Sequence, residues 1–104
     1  MGANTITVYK ENVRSIKCTV TGLVDLTDYT GTLTVKKKNE DTDIVITKEG
    51  DISDLVITFD LTSALTKVDP YEYVYFITIE KTDEEEILTK YTITEDIFKV
   101  KYSP

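Results

Sequence analysis

The sequence predicts an all-β fold. The expected architecture is an immunoglobulin-like antiparallel sandwich of about seven to eight strands, with a small, partly open β-barrel as the alternative. Three observations carry this. Residues 71–81 alternate almost without a break: Tyr71, Tyr73, Tyr75, Ile77 and Ile79 point one way, and Glu72, Val74, Phe76, Thr78 and Glu80 the other. Only a strand separates side chains at a period of two. Shorter alternations recur from end to end, and no stretch has good helical periodicity. Short polar turns separate them throughout.

The elements follow in order. Residues 5–10 form the first strand, with Ile6 and Val8 inward. After the turn Glu11-Asn12, residues 13–21 place Ile16, Cys18 and Val20 on the core face and Lys17 and Thr19 outside. Residues 24–29 read as a loop in which Leu26 and Tyr29 plug one end of the sandwich. Asp25 and Asp28 there are suited to accept local backbone hydrogen bonds. Residues 31–38 form a strand with Leu33 and Val35 inward, ending in Lys36-Lys37-Lys38. The polar turn 39–43, the short strand 44–48 and the turn 49–51 follow. Leu55, Ile57, Phe59 and Leu61 then define a strand, with Val56, Thr58 and Asp60 outside. Residues 62–67 suit one helical turn capped by Thr62 or Ser63, with Leu65 inward. Pro70 stands where the tyrosine strand starts, a place that tolerates its missing N–H. Residues 82–86 make a hairpin loop. The chain returns over 87–94, with Ile87, Tyr91 and Ile93 on one face, bends or bulges at Glu95-Asp96, and ends in a strand over 97–102.

At 104 residues the chain is expected to be one domain, 1–104. The net charge of −7 repels phosphates, so nucleic acid is not an expected partner. The N-terminus lacks a basic region followed by an apolar run, so no signal peptide is read and synthesis in the cytoplasm is expected. No stretch reaches the length of a membrane-spanning helix, and no membrane partner is expected.

The residue types weigh against catalysis. There is no histidine and one cysteine, so the usual nucleophile–base pairs are missing. Cys18 reads as a small buried apolar residue. Nothing in the sequence brings a particular carboxylate pair together. The acidic runs 41–43 and 83–86 lack the glycine-punctuated spacing of a calcium loop and read as solvated hairpin tips. No enzyme activity, cofactor or metal is therefore expected. The three lysines read as protection of an edge strand against unwanted pairing.

One face of the tyrosine strand must form the core. Core packing is the favoured reading for the tyrosines, with a binding face as the alternative. Val74 and Phe76 make the opposite face more apolar than a solvated face needs to be. They are the candidate interface residues, joined by Val56 if the two strands are neighbours.

Three pieces, in order, resemble the immunoglobulin-like N-terminal domain of phage baseplate upper proteins and the small phage virion proteins built on it. They are the strand Ile16-Lys17-Cys18-Thr19-Val20-Thr21-Gly22; the segment Val24-Asp25-Leu26-Thr27-Asp28-Tyr29 with Thr32-Leu33-Thr34-Val35-Lys36; and the strand 55–61 with its helical turn and Asp69-Pro70-Tyr71-Glu72-Tyr73-Val74-Tyr75. The match spans about residues 5–102. Pro70 departs from the glycine usual before the tyrosine strand, and the glycine after Leu26-Thr27 is displaced to Gly31. The resemblance implies a non-enzymatic virion structural protein. It would be a tail or baseplate accessory or attachment module, located in the virion and partnered by other virion proteins and by copies of itself. A capsid decoration or head-fibre role is the alternative within that class. A receptor- or carbohydrate-binding sandwich module is the alternative outside it.

Overall fold

The computed structural model describes residues 4–37, 44–82 and 84–102. Among these it contains eight strands and no helix. They are β1 (Ile6–Tyr9), β2 (Arg14–Thr19), β3 (Thr30–Lys36), β4 (Ile44–Glu49), β5 (Asp51–Ser53), β6 (Val56–Leu61), β7 (Tyr71–Thr82) and β8 (Leu88–Lys101). The larger sheet has the order β1-β8-β7-β3-β4 and the smaller β2-β6-β5. This is the immunoglobulin-like strand order, with β2, β6 and β5 facing β8, β7 and β3. The larger sheet also curls into a half-barrel, so the two expected architectures meet in one molecule.

Burial follows the alternation. Tyr73, Tyr75, Ile77 and Ile79 of β7 are buried, and so are Ile57, Phe59 and Leu61 of β6 and Leu33 and Val35 of β3. They form one core cluster with Phe98 and Val100 of β8 and Ile6 and Val8 of β1. The Tyr73 hydroxyl donates to the Asp69 carbonyl at 2.6 Å. This bond, four residues back along the chain, is the tyrosine corner that ties the start of such a strand to its loop. Leu26 is buried and Tyr29 half-buried at the sandwich end. Asp25 accepts the Thr27 N–H at 3.1 Å, holding that loop as expected. The turn after β6 is capped as read: Thr62 Oγ1 accepts the Leu65 N–H at 3.3 Å. Thr66, which sequence reading passed over, is fully buried and donates its hydroxyl to the Asn12 carbonyl at 2.7 Å.

The structure corrects several expectations. Tyr71 is 43% exposed, because the core stops at Tyr73 and β7 begins beyond it. Residues 51–53 form the short strand β5, which starts inside the expected turn 49–51 and was not foreseen. Residues 88–101 form a single strand. Its irregularity lies at Ile93: Ile77 faces Thr94 and Thr78 faces Thr92, leaving one extra residue between them. Ile87 is exposed. One pairing is parallel, β1 on β8 with Ile6 opposite Phe98. β3 is not an edge strand, since β7 and β4 flank it. Lys36, its last residue, and Lys37 therefore guard no edge of β3. Lys36 lies 5.7 Å from the Phe76 ring centroid and Lys37 4.9 Å from that of Tyr71. Lys38, the turn 39–43 and Asp83 lie outside the described residues.

Gly50 joins β4 to β5 at a point of close approach between the sheets. Its N–H donates to the Gly31 carbonyl at 2.9 Å. A Cβ there would lie 2.5 Å from a methyl of Ile57 and 2.7 Å from the Phe59 ring, both fully buried. Gly50→Ala should therefore destabilise the fold by about 1–3 kcal/mol through overpacking. Phe59→Ala should cost about 3–5 kcal/mol through the cavity it leaves. Urea unfolding midpoints would check both; an unchanged midpoint for Gly50→Ala would mean that the sheets are less closely packed at this point.

Candidate functional site

The alternation of β2 turns Ile16 and Cys18 inward and Lys17 and Thr19 outward. β2 pairs with β6 along one side, from Arg14 opposite Leu61 to Thr19 opposite Val56. It is the end strand of the smaller sheet, so its other side has no neighbouring strand among the described residues. Across from it runs β8. β7 covers one side of β8 along its length, but β1 reaches only Phe98 to Lys101 on the other. Residues 88–95 of β8 therefore have no strand on that side, among the described residues.

Between these two edges lies a groove of about 740 Å³. That volume falls within the range of small-ligand pockets. Its apolar lining comes from Ile6, Ile16, Cys18, Leu23, Ile77 and Ile93, and its polar lining from threonines, Tyr75, Tyr91 and Asn4. Among the described residues, Lys17 is the one charged residue of the lining.

The residues leading into β1 close one end of the groove. The buried Asp96 carboxylate accepts the Asn4 N–H at 3.2 Å, the Thr5 hydroxyl at 3.4 Å and its own neighbour's N–H, that of Ile97, at 2.7 Å. The Tyr75 hydroxyl donates to the Asn4 carbonyl. A buried carboxylate needs such donors to offset its lost hydration. Here they hold the start of the chain against β7 and β8.

The candidate interface residues lie elsewhere. Val74 and Phe76 are half-buried on the outer face of the larger sheet, opposite Ile97 and Glu95 of β8. Val56 belongs to β6 in the smaller sheet, so it is no neighbour of theirs. None of the three borders the groove. The groove residues were passed over because the sequence marks them as ordinary core positions. Cys18, expected to be buried, is only half-buried because it faces the groove. Tyr91 is 46% exposed for the same reason.

Burial pushes the Cys18 thiol up. Burial also raises the Tyr73 hydroxyl, helped by the charges of Asp69 and Tyr71. For Tyr75 burial again leads; a hydrogen bond with Thr94 opposes it, and Asp96 and Cys18 add to it. Among the described residues, no group of three or more acidic, histidine or cysteine side chains is placed to hold a metal ion. Among the same residues no helix is long and apolar enough to cross a membrane. The chain matches no protein-family model and no curated protein.

A tyrosine whose pKa is higher folded than unfolded keeps its proton longer in the folded state. Its stabilising contribution is complete below the unfolded value of about 10 and is lost as pH rises through the folded value. The protein should therefore lose stability steeply above pH ~10. Tyr73→Phe should cost about 1 kcal/mol at neutral pH, from the lost bond to Asp69. Its deficit relative to the parent should shrink as the pH climbs past that point. Urea titrations across the alkaline range would show this; a deficit that stays constant would mean that Tyr73 titrates alike in both states.

Proposed function

We propose that this chain is a non-enzymatic structural protein of a bacteriophage particle, an accessory or attachment module of the tail or baseplate. A place on the capsid surface is the second choice within the same class. The observation that carries the binding-module part of this reading is the groove, a channel of mixed polar and apolar lining walled by two strand edges. It offers backbone groups and apolar surface to a partner. Two polar side chains at its end are engaged in structure: the Asp96 carboxylate and the Tyr75 hydroxyl hold Asn4. Support for the phage part is the segment order that resembles baseplate upper proteins, together with a sandwich of the expected class. The half-buried Val74 and Phe76 offer a second surface, on which contacts with other virion proteins or copies of the chain would form.

The receptor- or carbohydrate-binding alternative draws less support. Such a role asks for an open aromatic platform, and the ammonium of Lys37 lies close to the ring of Tyr71.

The protein should co-sediment with intact particles of the phage that encodes it and be found among their proteins by mass spectrometry. Recovery solely from the soluble fraction, with particles of normal composition and infectivity after its deletion, would refute the virion reading. Tyr71→Ala should leave the thermal midpoint nearly unchanged and particle association intact. Loss of association with the fold retained would favour the receptor-binding alternative.

A further inference from the structure

Both long walls of the groove are strand edges, and this restricts what it can hold. The side of β2 away from β6, and that of β8 away from β7 over residues 88–95, have no neighbouring strand among the described residues. Each edge presents a row of backbone N–H and C=O groups. An extended polypeptide repeats donors and acceptors at the spacing of such a row. A compact small molecule matches one or two of them. The edge of β2 is six residues long, roughly 20 Å at the rise of a strand.

The side chains set the pattern of the incoming strand. Ile16, Cys18, Leu23, Ile77 and Ile93 line the groove, so every second residue of the strand would be apolar. The outward residues would lie beside Lys17 of β2, which borders the groove. Among the described residues the lining holds no carboxylate, although acids outnumber bases 19 to 12 in the chain. Screening beyond about 8 Å at physiological salt weakens the repulsion from the distant acids and leaves Lys17 to select for charge. A second copy of this chain is a poor donor, because each of its described strands is already paired and packed within its own sandwich.

We infer that the groove takes up an extended strand donated by a partner protein, apolar at alternate positions facing inward and acidic at those facing out. This rests on the reading of the chain as a binding module and adds the chemistry of its partner. Strand uptake bridges the edges of β2 and β8 and covers Cys18.

Cys18 is the only cysteine, so its reaction with a bulky maleimide reports on the groove directly. The probe is a synthetic peptide alternating valine with glutamate, at millimolar concentration. One control has the same composition in blocks, Val-Val-Glu-Glu, and another has lysine in place of glutamate. The alternating acidic peptide should slow Cys18 modification by about tenfold and shift the amide resonances of Ile16, Lys17, Cys18 and residues 90–93. The controls should do neither. Protein already carrying the bulky maleimide on Cys18, with an unchanged circular dichroism spectrum, should show none of those peptide-induced shifts. Equal protection by the block peptide, or none by any peptide, would overturn strand uptake. Protection that grows with protein concentration alone, alongside dimers in light scattering, would identify a second copy as the occupant and also overturn it. The assay is independent of particle association. Peptide binding by a protein absent from particles would refute the virion reading alone, and particle association without peptide binding would refute strand uptake alone.

Discussion

The alternation of β7 is the constraint on which the rest of the molecule depends. Four consecutive inward positions, Tyr73, Tyr75, Ile77 and Ile79, are buried. They fix which face of the larger sheet meets the smaller one. A slip of one residue would put Val74, Phe76 and Thr78 inside and the tyrosines outside. The two tyrosines also use their hydroxyls to place the segments around them. Tyr73 holds the loop that ends in Pro70, and Tyr75 holds Asn4 at the chain start. Removing either ring would therefore disturb a connection as well as a core position.

The groove is a consequence of the same arrangement. β7 and β8 are long, with 12 and 14 residues, whereas β1 has four and β2 six. A short β1 at one end of a long β8 leaves most of that strand's outer edge uncovered. The smaller sheet ends at β2 on the same side. Asp96 marks the boundary, since its carboxylate holds Asn4 and Thr5 where β1 begins. On one side of it the larger sheet continues into β1; on the other the two sheets part. Open strand edges invite unwanted pairing. Lys17 on the rim acts against pairing with a basic strand, while an acidic strand of the right alternation escapes that discrimination.

Much of the fold was legible because local patterns decide it. The alternations in β6 and β7 gave strand, face and core together, and Thr62 gave the capped turn. What was missed depends on partners distant in sequence. Asp51-Ile52-Ser53 is too short and polar to read as a strand until β6 lies beside it. The parallel pairing of β1 with β8 joins opposite ends of the chain. The extra residue at Ile93 cannot be told from Glu95-Asp96 without the register against β7. Lys36 and Lys37 stand at the end of a strand that is central, and only the sheet order shows this. The groove was illegible for the same reason: Ile16, Cys18 and Ile93 look like any inward residues, and only the list of unpaired edges sets them apart. Val56 failed as a companion to Val74 and Phe76 because sequence order does not say which sheet a strand joins.

Hydrogen exchange of the free protein, followed residue by residue by NMR, tests the central claim most directly. The amides of Tyr73 to Ile79 should exchange only through global unfolding, with protection equal to the full stability. Alternate amides of β2, and those of residues 88–95 that point away from β7, should exchange through local exposure, orders of magnitude faster. Uniform slow exchange along both edges at low protein concentration would mean that they are already paired, and would contradict the open groove on which the functional account stands.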